Sequence, residues 1–144
     1  METLTAWLPS EGMEEELFLE SVRCDLGRLR VTMSKGKGAT RILSLDFGEP
    51  LAFRAQPQHV YLKEPWWGSL SEASVYVVGN SAYLAWLQDS SAGTYDRPLK
   101  HFRIITTDGA LDVLTQEDPV ASWIKSSNLK GLPSNTSLER TREG

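Results

Sequence analysis

NSAYLAWLQDSSAGTYDRPLKHFRIITTDGALDVLT, residues 80–115, is the stretch whose reading decides the fold. Asn80 can cap a helix through its side-chain oxygen. Behind it Ala82, Tyr83, Trp86 and Leu87 fall at helical spacings and form one apolar stripe. Polar residues 88–91 end the run, and Gly93 can supply the positive φ that closes a helix of about three turns. Asp108-Gly109 is a favoured two-residue hairpin turn, because both residues tolerate positive φ. It sets Thr107 opposite Ala110, Ile104 opposite Val113 and Phe102 opposite Thr115. One face then carries Phe102, Ile104, Thr106, Leu111 and Val113, and is expected to be the core face. The other carries His101, Arg103, Ile105, Asp112 and Leu114 and is mixed. A slip of one residue would bury the charged set instead. The expected packing lays the Tyr83/Trp86/Leu87 stripe on Phe102, Ile104 and Val113.

Working outward, Val75–Val78 reads as a strand that delivers the chain through Gly79 to the helix. Residues 54–72 hold two prolines, a glycine and Trp66-Trp67; they read as a surface excursion with one strand at His59–Leu62. Arg41–Phe47 alternates as a strand with Leu43, Leu45 and Phe47 inward, and Leu51–Phe53 is a short one. In Ser21–Met33 the apolar parity switches at Gly27, through a tight turn or, as favoured here, a β-bulge. This strand pairs with Arg41–Phe47 around the Ser34–Gly38 loop. Residues 11–20 fit a short helix or the start of a strand, and Pro9 interrupts the first ten.

The expectation is an α+β domain over residues 1–125: a mostly antiparallel sheet of about five or six strands with one main helix, about 80–90, packed on it. Residues 126–144 are polar and aperiodic and read as a disordered tail.

Composition narrows function. The chain has 144 residues and a net charge of −4, which argues against nucleic acid as a partner. The single cysteine, Cys24, allows neither an internal disulfide nor a thiolate metal cage, and its apolar alternation predicts burial. No basic, apolar leader opens the sequence and no run reaches the roughly twenty apolar residues of a membrane span; a cytoplasmic location follows as the expectation.

No chemistry emerges from motifs. Residues 36–40, GKGAT, lack the phosphate-loop spacing. The two histidines, His59 and His101, fall in no metal-ligand spacing. Nothing beyond residue type joins Cys24, or a serine, to His101 and Asp112, and Asp108 and Asp112 read as turn and strand residues. No catalytic, cofactor or metal residue is therefore assigned. Two features suit recognition instead. Trp66-Trp67 offers aromatic anchors, against the alternative of one ring buried and one capping a loop. Glu14-Glu15-Glu16, with Glu11 and Glu20 nearby, suits steering toward a basic partner. The candidate partner-binding residues are Glu14, Glu15, Glu16, Trp66, Trp67, Asp89 and Asp96.

As a string, residues 40–120 resemble small bacterial proteins of the polymorphic-toxin immunity type. The matching positions are Ser81, Tyr83, Leu84 and Trp86, then Leu99, His101, Phe102, Ile104, Thr107, Asp108, Asp112, Val113 and Pro119. Leu45-Asp46-Phe47-Gly48 and Phe53-Arg54 fit upstream. The resemblance implies a cytoplasmic, non-enzymatic inhibitor that needs no cofactor and blocks a cognate toxin domain. The alternative is a small-molecule-binding or enzymatic α+β domain with a pocket between the helix and residues 54–72.

Overall fold

A computed structural model describes residues 1–95 and 97–129. The class is α+β, with every strand pair antiparallel. Among the described residues, nine strands lie in two sheets. The five-stranded sheet has β1 (Thr3–Ala6), β6 (Val75–Gly79), β7 (Lys100–Thr106), β8 (Gly109–Thr115) and β5 (Ala52–Gln56), in that order. The four-stranded sheet runs β2 (Phe18–Asp25), β3 (Arg28–Ser34), β4 (Arg41–Gly48) and β9 (Val120–Lys125). The main helix, α1, is Ala82–Ser90. Ser126–Leu129 forms a single turn, α2, where the sequence predicts the tail to begin. The rest of the expected tail, from residue 130, lies outside the described residues.

The β7–β8 hairpin keeps its expected faces but not its expected turn. Thr107-Asp108 make the bend, pairing Thr106 with Gly109 and Phe102 with Val113. Pairing sums shift by two, so face parity is unchanged. Thr106 Oγ1 accepts the Asp108 N–H at 3.1 Å, a side-chain turn that locks the bend one residue early. Gly109, at φ 143°, starts β8 where a Cβ would stand 3.1 Å from the Gln56 carbonyl of β5. Gly109→Ala is therefore expected to lower stability by about 1 kcal/mol or more, measured by urea denaturation.

What covers the hairpin differs from expectation. Phe102, Ile104, Leu111 and Val113 meet the second sheet, in one core with Leu29, Val31, Met33, Leu43, Leu45 and Phe47. The helix lies on the opposite face, where Tyr83 and Leu87 pack on Leu114. Trp86, expected in the stripe, is 55% exposed. Residues 57–72 cover the rest of that outer face, with Tyr61, Trp66 and Tyr76 around Ile105 and Ala110. Within this excursion Gln58–Tyr61 is a 3-10 turn rather than the expected strand, since Pro57 directs the chain away from the ladder. Both faces of β7 and β8 are thus buried.

Two further expectations are corrected. Leu26-Gly27 is a two-residue hairpin turn with φ 52° and 82°, not a bulge; the register irregularity of β2 falls between Leu19 and Ser21 instead. Leu26 is fully exposed at the tip. Cys24 lies two residues before this turn on an edge strand, and is exposed rather than buried.

A polar cluster between the helix and the five-stranded sheet

The mixed face of the hairpin gathers a buried polar network in the seam between α1 and residues 57–72. Cross-strand pairing sets Arg103 opposite Asp112, and His101 follows on the same side of β7. Asp112 is 1% exposed and accepts from four donors. His101 Nε2 (2.6 Å) and Arg103 Nε (2.7 Å) bind Oδ1; Tyr61 OH (2.8 Å) and Arg54 Nε (3.1 Å) bind Oδ2. Burial, the largest single influence, pushes this carboxyl up, but the His101 hydrogen bond and the Arg103 charge lead a set that outweighs it. The net effect holds it well below the usual carboxylate range. Burial and then the Asp112 charge push the Tyr61 phenol up to about 12.

Arg103 is itself 1% exposed and lies over the rings of Tyr61 (4.5 Å) and Trp66 (5.2 Å). Its Nη1 donates to Glu2 Oε1 at 3.0 Å, and Glu2 Oε2 accepts the Ala82 N–H at 3.0 Å. Two carboxylates, Glu2 and Asp112, thus face two guanidiniums, Arg54 and Arg103, and the cluster is neutral in these groups. Glu2 sits at the positive end of α1, where an anion is favoured.

Ser81, not Asn80, caps the helix: its Oγ accepts the Leu84 N–H at 2.9 Å. Asn80 takes φ 52° and turns the chain into it. The same Oγ lies 2.5 Å from His101 Nδ1. A carboxylate only accepts, so Nε2 carries the proton toward Asp112, and the Ser81 hydroxyl can donate to Nδ1. Ser81→Ala removes both bonds and is expected to cost about 2 kcal/mol, a lost cap plus a lost buried hydrogen bond. Thermal unfolding measures it, with Ser81→Thr as the variant expected to retain the cap.

In the sequence, nothing beyond residue type joins a serine to His101 and Asp112, and both read as structural residues. The structure joins them in the order Ser81–His101–Asp112. That is the order of a nucleophilic relay, with Asp112 also accepting from Arg103, Tyr61 and Arg54. His101 is 0% exposed, Ser81 Oγ is engaged as a helix cap, and the Ala82 N–H beside it is taken by Glu2. These bonds fasten helix, hairpin and first strand together. The hidden signal was the period-two polar side of β7 and β8, legible only once a cover for that face is known.

Of the sequence-predicted partner residues, Trp66 meets this cluster through Arg103 and Tyr61, and Glu14, Glu15 and Glu16 lie away from it. Glu14, Glu15 and Glu16 are exposed; Glu14 accepts from the Gly12 N–H and Glu15 pairs with Lys35. Glu14 and Glu15 line a cleft of about 740 Å³ together with Glu11, Arg41 and Trp123. Arg41 stacks on the Trp123 ring at 5.1 Å, and Trp123 Nε1 donates to the Glu11 carbonyl. Trp66 is corrected as a surface anchor. It is 5% exposed, packed on Tyr61 at 5.2 Å and covered by Arg103, so its ring serves the core. Trp67 is half-buried over it. Asp89 is exposed near the end of α1, and Asp96 lies outside the described residues. His59 is exposed on the 3-10 turn. Among the described residues, no His, Cys, Asp and Glu group has metal-holding geometry, and no helix is long and apolar enough to cross a membrane.

Fold and cluster together define a two-sheet α+β domain whose outer face is clamped by a buried salt-bridge network. Comparison with protein-family models, with curated proteins and with solved structures finds no match.

Proposed function

We propose that this chain is a non-enzymatic binding protein of the immunity type, a cytoplasmic inhibitor that blocks a cognate bacterial toxin domain by direct contact. The observation that carries the proposal is the exposure of Glu14, Glu15 and Glu16 side by side, the first two of them lining a cleft with a tryptophan wall. Clustered carboxylates beside an indole attract a basic surface and give it an aromatic contact. Supporting this, the buried His101 and Asp112 direct their polar atoms to one another and to their neighbours. Co-expression with a toxin domain encoded beside this gene tests the reading. Co-purification and loss of toxicity are expected. Replacing all three glutamates by lysine is expected to slow association at least about tenfold at low salt, since steering acts on the on-rate. A neighbouring toxin that neither binds nor is silenced would sink the reading.

The enzymatic alternative rests on the Ser81–His101–Asp112 order alone. A serine-directed fluorophosphonate that labelled Ser81 in the folded protein, and not after His101→Ala, would favour it.

A further inference from the structure

Helix α1 turns Tyr83 and Leu87 inward onto Leu114 and leaves Ala82, Ala85, Trp86 and Asp89 exposed. Of the five tryptophans Trp86 alone is exposed, at 55%. Its indole is held from behind all the same. It stacks on Tyr83 at 5.6 Å with 20° between the planes, and the Arg54 guanidinium lies over the Tyr83 ring at 4.1 Å. Arg54 is fixed in turn by its bond to Asp112. An open ring already held in place loses little freedom when it is touched, which suits it as an interface anchor. Ala82, four residues earlier on the same side of the helix, sets only a methyl beside it.

Charge decides what this anchor is open to. Asp89 is three residues on, a neighbour of Trp86 on the helix surface. It stands in the last turn of α1, the carbonyl end, where a carboxylate is disfavoured and a cation favoured. That turn holds no basic side chain, and among the described residues no cation pairs with Asp89. A cation brought from outside would thus meet an indole face, an unpaired carboxylate and the negative end of a helix together. A guanidinium fits all three, because its plane stacks on the ring while its N–H fork reaches the carboxylate. An ammonium has no plane to stack, and a phosphate chain would be repelled by Asp89.

We propose that the Trp86 and Asp89 side of α1 is a docking surface for an arginine presented by a protein partner, its guanidinium stacked on the Trp86 ring and donating to the Asp89 carboxylate. This surface lies on the outer layer of the five-stranded sheet, and none of its residues lines the Glu14–Glu15 cleft. The inference therefore stands without the immunity reading.

The probe is the tripeptide acetyl-Gly-Arg-Gly-amide, titrated into the full-length protein while the indole N–H signals are followed by NMR. Trp86→Ala identifies the Trp86 signal by removing it. The citrulline tripeptide, alike in shape but uncharged, is the control. The expected result is a saturable, millimolar shift of the Trp86 indole and the Asp89 amide. Citrulline in place of arginine, or Asp89→Asn in the protein, is expected to weaken the binding about fivefold. A Trp86 signal that does not move, or that moves equally with citrulline or in Asp89→Asn, would overturn the proposal. So would movement confined to the Trp123 indole, which would place the arginine in the acidic cleft.

Discussion

Asp112→Ala is expected to lower stability by about 3–5 kcal/mol, the range for removing one partner from a buried charge network. Arg103 would stay buried with only Glu2 opposite it, and His101, Tyr61 and Arg54 would each lose an acceptor. Urea denaturation at neutral pH measures the loss, and a change under about 1 kcal/mol would show that the cluster does not hold the layers together. Its pH dependence has a determined sign. The folded carboxyl binds a proton less readily than the unfolded one, so the stabilisation is complete above the ordinary carboxylate value of about 3.9. It drains as pH falls from there through the lower folded value. Tyr61 acts at the other end. Its folded phenol holds the proton more tightly, so its contribution is full below 10.0 and is lost as pH rises through about 12. Asp112→Ala is expected to flatten the acid limb and, by removing a charge that raises Tyr61, to soften the alkaline one.

The parts of this fold legible in sequence are those written in local alternation. Val75–Val78, Arg41–Phe47 and the core face of the 101–115 hairpin all follow from period two, and the hairpin face survives even though its turn lies one residue early. Alternation says which residues share a face; it does not say what covers that face. Both covers, a helix stripe and a second sheet, are apolar, so alternation alone cannot tell which of them meets the Phe102 face. Leu26 hid the β2–β3 turn, because a leucine at positive φ is outside ordinary turn chemistry. Asn80 and Ser81 are both good caps, and only the partner beneath, His101, distinguishes them.

The cluster was illegible for a different reason. Its members are Glu2, Arg54, Tyr61, Ser81, His101, Arg103 and Asp112, brought together from six separate segments of the chain. No spacing rule links a glutamate to an arginine 101 residues away. Trp66 belongs with them: an aromatic pair in an irregular segment resembles a surface anchor until a buried guanidinium is found beneath one ring. A buried ion-pair network of this kind fixes how two covers meet on one sheet, since any other arrangement strands a charge. The acidic cleft and the clamped face are separate pieces of the surface. The proposed partner recognition at Glu14–Glu16 and the integrity of the outer layer are therefore open to independent alteration.

The placement of the helix makes a second large expectation, and it rests on contrast. Phe102 is 0% exposed, with Trp7 at 5.2 Å and Phe47 at 6.0 Å, both edge-on. Phe102→Ala opens a hole where the two sheets and the first strand meet, and is expected to cost about 3–5 kcal/mol. Trp86 is stacked on Tyr83 at 5.6 Å but 55% exposed, so Trp86→Ala is expected to cost about 1 kcal/mol or less. Were the helix laid on the Phe102 face, Trp86 would be an inner residue and the two losses would be similar. Denaturation midpoints of the two variants decide the matter. Equal losses would remove the second sheet from the core, and with it the account of why the polar side of the hairpin is free to bury its charges under α1.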